Sequence, residues 1–265
     1  MLLLALFFFI IGLCFGSFTN VLVDRTQRGE SIKGFSKCDF CGYKLQWFDN
    51  IPLLSYVLLK GKCRKCGKKL SLQYPLIEFL CGVVFSASFL LCFYGASGGV
   101  LMPGFLFVLT TAYLLFVVLV WDVKYMIIPD FIVVIGLAIA LIFRVLQSYG
   151  QSCFLGWDCS LPEGLLGSLV IGGFFGAMYY FSRGRWIGGG DVKAGFWLGM
   201  VVGIKMAYFF ILFAYLLGSV VAVALLLASA KKMKSQIPFG PFLVFSAYLI
   251  IFGKEVIMKI WNNLI

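Results

Sequence analysis

The chain has 265 residues, 62% of them hydrophobic and 12% charged, with a net charge of +11 and a mean hydropathy of +1.02. A soluble domain is about 45–50% apolar and about 25% charged, so this composition excludes a water-soluble fold and marks a polytopic membrane protein. The absence of His excludes Ser-His-Asp and Cys-His catalysis, His-ligated metals and imidazole shuttles, leaving acid–base work to carboxylates, Lys, Tyr or Cys.

A spanning helix needs about 20 mostly apolar residues. Such runs lie near 2–22, 73–94, 101–120, 129–147, 164–182, 191–204, 206–229 and 237–253, which predicts an all-α fold with about eight transmembrane helices. The first run lacks a basic leader and a small-residue cleavage site. Gly16, Ser17 and Asn20 follow its apolar core, so it reads as a retained helix and not as a signal peptide. The sixth run is short and rich in Gly. The expected domains are a first helix (1–22), a polar unit (23–72) and a membrane helical domain (73–265).

The basic residues set an orientation. With the N-terminus outside, the inside segments collect all of the 22 Lys and Arg except Arg144, Lys205, Lys254 and Lys259. Cytoplasmic loops carry such an excess, so the polar unit is expected in the cytoplasm. The positive charge then reports topology, with no nucleic-acid partner.

Within that unit, Cys38, Cys41, Cys63 and Cys66 form C-x2-C-x21-C-x2-C. The halves repeat each other, Lys-Cys-Asp-Phe-Cys-Gly-Tyr-Lys-Leu from Lys37 and Lys-Cys-Arg-Lys-Cys-Gly-Lys-Lys-Leu from Lys62. Two-residue spacing turns both thiolates of a pair toward one ion, and the following Gly permits the tight turn. Four thiolates suit a closed structural Zn2+ site, which would supply folding energy to a unit with little apolar surface of its own. Two disulfides are the alternative, and a reducing cytoplasm disfavours them. Cys153 and Cys159 are a candidate disulfide in an external loop, and Cys14, Cys81 and Cys92 read as small apolar residues within helices.

Ionisable residues near membrane depth are functional candidates by default. Asp122 closes the third span, Asp130 follows Pro129 and opens the fourth, and Asp191 ends the run Gly188-Gly189-Gly190. All three are expected at the cytoplasmic boundary. Two carboxylates sharing one proton could act as base on water and acid on a peptide carbonyl, as in aspartic proteases. The Gly run removes side chains beside Asp191 and disfavours helix there, so an extended substrate could approach. Structural roles compete: Asp130 and Asp191 as first-turn acids, Asp122 as a partner of Lys124 or an interfacial anchor. Glu78, one turn into the second span, is expected to face an internal cavity.

In this order the motifs resemble the bacterial type IV prepilin peptidases, bifunctional leader peptidases and N-methyltransferases. The resemblance rests on Gly16-Ser17-Phe18-Thr19-Asn20-Val21, the double Cys pairs, Trp47 through Tyr56, and Tyr74-Pro75 leading to Glu78. It continues through Asp122, Ile128-Pro129-Asp130, Gly188 through Lys193 and Ile237-Pro238-Phe239-Gly240-Pro241. It implies Asp122 and Asp191 as the catalytic pair within about 101–230, and zinc at the four Cys. It further implies prepilin and type II secretion pseudopilin substrates cleaved after Gly at the cytoplasmic face of the bacterial inner membrane. Methylation of the new N-terminus by S-adenosylmethionine, and a working association with pilus or secretion assembly machinery, are also implied. No nucleotide-binding motif locates the methyl donor; Asn20 and Glu78 are candidates. A peptidase without methyl transfer, a zinc-containing membrane scaffold and a carboxylate-lined transporter are the competing readings. Acids gathered at one face instead of the bilayer midplane speak against the transporter.

Overall fold

The computed structural model describes residues 1–94, 102–149, 160–228 and 237–264. The described residues are helical apart from turns and two isolated β-bridges. The chain divides into two compact units, Met1–Tyr94 and Gly95–Ile265.

In the first unit, α1 (Leu2–Gln27) packs along α3 (Gln73–Tyr94). The reason lies in three glycines. A Cβ on Gly12 would stand 2.7 Å from the Cys81 carbonyl oxygen, and one on Gly16 2.6 Å from Glu78 Cα. Gly82 receives the Phe9 ring from the other side. Small residues four apart let backbones approach in lipid, where helix association depends on close packing. Stacking of Phe8 on Phe89, with centroids 4.9 Å apart, extends the contact. Helix α1 runs five residues past the apolar stretch, which places Asp24 and Arg25 on its last turns. The polar segment between the two helices holds a 3-10 turn at Trp47–Asn50 and the short α2 (Leu54–Leu58).

The second unit contains α4 (Met102–Tyr125), α5 (Asp130–Tyr149), α6 (Leu161–Ser182), α7 (Gly189–Val202), α8 (Ile204–Leu227) and α9 (Gly240–Leu264). Helix α7 is its centre, packed against α5, α6, α8 and α9, with Trp197, Leu198, Val201 and Val202 buried. It meets α6 at glycines: a Cβ on Gly167 would stand 2.5 Å from the Gly199 carbonyl oxygen. Beyond Val202 the chain breaks at Gly203, whose φ is +80°. Buried Arg144 of α5 covers that break, donating from Nε to the Met200 carbonyl (2.5 Å) and from Nη2 to Val201 (3.2 Å). The Lys205 N–H, at the start of α8, donates to Glu163 Oε1 at 2.9 Å. Both helix ends, whose groups would otherwise lack partners, are thereby satisfied.

Among the described residues, six helices are long and apolar enough to cross a membrane: α1, α3, α4, α5, α6 and α8. Two of the expected spans differ. At 14 residues, α7 is about 21 Å long, short of a hydrocarbon core of about 30 Å; it is enclosed by other helices instead. Among the described residues, the apolar part of α9 is Gly240–Gly253. Cys81 and Cys92 are buried in α3, as expected of small apolar residues, whereas Cys14 is exposed on α1. The Cys153 and Cys159 pair lies outside the described residues.

Candidate active site and metal centre

Asp122 sits in the last turn of α4, 5% exposed. The helix continues past it to Tyr125, and Met126 ends it with a left-handed φ of 55°. The Asp122 Oδ2 accepts the backbone N–H of Gly240 at 2.9 Å. Asp191 is the third residue of α7, 9% exposed, and its Oδ2 accepts the N–H of Gly188 at 3.1 Å. That reach-back from the third position to the N-cap is half of a capping box. It also corrects the expectation for the glycine run. Helix is not interrupted there: Gly188 is the N-cap and the helix starts at Gly189, with the carboxylate securing the first turn. Room at Gly190 serves packing, since a Cβ there would stand 3.1 Å from Ile128 Cβ.

Both carboxylates lie in the second unit, close enough to interact electrostatically. Each has Oδ2 tethered by a backbone N–H, from distant Gly240 at Asp122 and from the N-cap of its own helix at Asp191, and among the described residues no donor engages either Oδ1. Asp130 does not join them. It begins α5 and pairs with Lys193 Nζ at 2.7 Å on the exposed surface, consistent with a first-turn acid. Asp122 does not bond Lys124 in the manner of a local ion pair; its partner is 118 residues away.

Sequence reasoning missed two neighbours of this pair. Gly240 appeared only within a motif without a role, yet a Cβ on it would stand 2.6 Å from Asp122 Oδ2. Tyr215 of α8 lies within electrostatic reach of Asp191. Its hydroxyl donates to Met178 Sδ at 2.9 Å, and its ring packs on Phe239 with centroids 5.5 Å apart. With Phe175 against Phe239, these rings form an apolar wall. No local pattern marks a Tyr in an apolar helix as the neighbour of a distant acid.

In the first unit the two Cys pairs build the same knuckle twice. Cys38 N–H donates to Tyr43 O and Gly42 N–H to Cys38 O; Cys63 N–H donates to Lys68 O and Gly67 N–H to Cys63 O. Single bridges pair Lys37 with Lys44 and Lys62 with Lys69. Gly42 and Gly67 take φ of +67° and +68°, the left-handed turn that glycine accommodates without strain. The four sulfurs lie within 4.8 Å of one another, Cys38–Cys66 at 3.9 Å and Cys41–Cys63 at 4.0 Å. A tetrahedron of Zn–S bonds of about 2.3 Å has edges of about 3.8 Å, so the cluster fits that ion. The backbone N–H groups of Cys66 and Lys65 pull the Cys63 thiol down to about 6, toward the thiolate a metal needs, while the Cys41 thiol, against the pull of the Tyr43 N–H, is held up at about 11 by desolvation and by its neighbours in the cluster. Arg64 ties the second knuckle to the Trp47–Asn50 turn through Asp49 at 2.7 Å.

The first unit also holds a cleft of about 430 Å³ lined by Ser17, Asn20 and Asp24 of α1, Tyr74 and Glu78 of α3, and Tyr56 of α2. Glu78 faces this cleft as expected, its Oε2 accepting the N–H of Leu53 at 2.8 Å.

Comparison with known families bears directly on these two units. The family model described as "Bacterial Peptidase A24 N-terminal domain" matches residues 10–92, and that described as "Type IV leader peptidase family" matches 108–223. A Vibrio cholerae relative named prepilin leader peptidase/N-methyltransferase is 30% identical over 259 residues, covering 93% of this chain and 95% of its own. The chain belongs to the type IV leader peptidase family. A relative of the same name from Bacillus subtilis is 30% identical, with 94% of each chain covered. One from Myxococcus xanthus is 35% identical over 86% of this chain, which spans 65% of that relative's length. No solved structure matches. Within the leader peptidase framework, the first match ends two residues before the first compact unit does. The second match contains Asp122 and Asp191, while Gly240 lies beyond it.

Proposed function

We propose that this leader peptidase family member is a membrane aspartic endopeptidase acting on prepilins and pseudopilins. It removes their basic leaders after Gly at the cytoplasmic face of the inner membrane, with the N-terminus outside. It then methylates the new N-terminal amine with S-adenosylmethionine. The observation that carries the first activity is the pair of buried carboxylates, each tethered by a backbone N–H through one oxygen with the other left clear.

In the proposed cleavage, the two aspartates share one proton, because like charges at short range resist joint ionisation. The ionised one takes a proton from water as the oxygen attacks the carbonyl of the Gly. The neutral one gives its proton to the carbonyl oxygen. Collapse of the tetrahedral intermediate returns a proton to the leaving amine, with no covalent enzyme intermediate. A prepilin helix lying in the bilayer would hold its scissile bond at headgroup depth, where the ends of α4 and α7 are proposed to sit. The catalytic roles of Asp122 and Asp191, and assistance from pilus or secretion assembly proteins, belong to this reading.

The four Cys would hold Zn2+ in a structural role, since a fourth thiolate leaves no open coordination position. Chelation at neutral pH is therefore expected to loosen the first unit before the second. Limited proteolysis should then cut between residues 28 and 72 first, and Cys41→Ser with Cys66→Ser should reproduce that pattern. A cut pattern unchanged by metal removal would contradict the structural role.

The test of the whole proposal is mass spectrometry of a prepilin-like substrate incubated with the chain in lipid, with and without S-adenosylmethionine. Cleavage after Gly is expected in both, and an added methyl only with the donor. No cleavage of several substrates by well-folded protein would return the reading to a scaffold.

A further inference from the structure

Tyr215 of α8 stands beside the carboxylate pair with its hydroxyl on a poor acceptor. Helix α6 fixes its level. A Cβ on Gly176 would stand 3.7 Å from Val192 Cγ1, and one on Gly189 3.8 Å from Tyr179 Cε2. Residues 176–179 of α6 therefore lie alongside the first turn of α7, which carries Asp191. Met178, within that stretch, accepts the Tyr215 hydroxyl at 2.9 Å. The break at Gly203 gives the same level, since Asp191 and Tyr215 each lie twelve residues from it, one on either side. The Tyr215 ring is clamped by Phe239, with centroids 5.5 Å apart, and edge-on by Phe174 at 6.1 Å. Phe239 precedes Gly240, whose N–H holds Asp122 Oδ2. One ring thus adjoins the segments that position both carboxylates, within electrostatic reach of Asp191. The oxygen is not needed for this packing. A thioether sulfur is a weak acceptor, and a Phe would fill the same space with no polar group to satisfy. Tyr248 of the same unit behaves as a structural tyrosine, donating to the Ala112 carbonyl at 2.7 Å. The Tyr215 hydroxyl is instead held where a stronger acceptor can claim it.

We propose that Tyr215 is a further catalytic residue of leader cleavage, its hydroxyl leaving Met178 to donate to the oxygen of the scissile Gly carbonyl. The proposal rests on the reading of Asp122 and Asp191 as the proton-sharing pair. As water attacks, the C=O electron pair moves onto that oxygen. The neutral aspartate supplies its proton, and the tyrosine adds a hydrogen bond to the remaining lone pair. The tyrosine keeps its own proton throughout, so no bond to it is made or broken. When the intermediate collapses, the hydroxyl returns to Met178. Exchange of a thioether for an oxygen gaining negative charge strengthens the bond as the transition state forms. The clamped ring brings the donor in without ordering a mobile side chain, and such preorganised donors act strongly where water is excluded.

Steady-state cleavage of a prepilin-like substrate by the full chain in lipid tests this. Tyr215→Phe keeps the ring and its packing, and is expected to lower kcat by about 10–100-fold, the range for one hydrogen bond to a charged group. KM should stay within about threefold, because the bond is made only in the transition state. Met178→Leu conserves volume and removes the sulfur; its kcat should stay within about threefold of wild type, since no step needs the thioether. A bridge between α6 and α8 with no catalytic part predicts the opposite, equal losses in the two variants, and that result would overturn the proposal. Binding of a substrate-like peptide difluoroketone, which hydrates to a tetrahedral diol, gives a readout apart from turnover. Tyr215→Phe should weaken it by about the same factor as kcat/KM, and weaken an uncleaved peptide of the same sequence by less than about threefold. Equal weakening of both, or an unchanged kcat in Tyr215→Phe while Asp122→Asn and Asp191→Asn are inactive, would remove Tyr215 alone. Wild-type cleavage by both aspartate variants would instead remove the pair, and the role of Tyr215 with it.

Discussion

Asp122→Asn and Asp191→Asn are each expected to lower kcat for leader cleavage by at least about 10²–10⁴-fold, the range for loss of a general acid–base group. Asparagine keeps the size of the side chain, and its amide oxygen can still accept Gly240 N–H at Asp122 or Gly188 N–H at Asp191. The first turn of α7 and the contact between α4 and α9 should therefore survive. What disappears is the single proton the pair shares, so substrate affinity is expected to stay near the wild-type value. The double variant should be scarcely worse than either single one, because groups that act as a unit are not additive. Time courses read by mass spectrometry, beside a binding measurement on an uncleaved substrate, check this. Cleavage within about tenfold of wild type by either variant would remove that aspartate from the reaction.

The second large effect is expected at a residue with no side chain. Gly240→Ala puts a Cβ 2.6 Å from Asp122 Oδ2, a separation that neither atom can hold. Asp122 is buried, so its carboxylate has little room to retreat, and the N–H bond that orients it is lost as it moves. A displacement of the order of 1 Å in a reacting group costs about 10²-fold, and a kcat decrease of that order is expected. KM should change little, because the substitution does not remove a contact with the leader. The chain is expected to remain folded, since α9 can shift slightly at its first turn. An alanine variant with wild-type kcat would mean that the Gly240 contact does not hold Asp122 in its working position.

How far the sequence reached depended on how local each signal was. The membrane class follows from composition, because an apolar fraction of 62% cannot be hidden from water in a chain of this size. The paired-Cys knuckles were legible because they are local. Both cysteines of a pair, the turn glycine and the bridging lysines fall within eight residues, so spacing alone carries the geometry of a cluster that could hold a metal ion. The resemblance to leader peptidases was likewise written in short motifs, and it agrees with the family the chain belongs to.

Other features depend on residues far apart, and only the folded chain brings them together. Helix α7 reads as a weak span because it is short, and it forms a central element because α5, α6, α8 and α9 pack around it. Gly12, Gly16 and Gly82 look unremarkable in an apolar sequence, yet they set the α1–α3 approach by having no side chain where the other helix passes. The contact of Gly240 with Asp122 crosses 118 residues, and the contact of Asn20 with Tyr74 crosses 54. Composition and spacing report the chemistry a segment can offer its surroundings. Which group is held beside which carboxylate, and which buried acceptor is left without a donor, is decided by close packing, where a single Cβ is enough to prevent the approach.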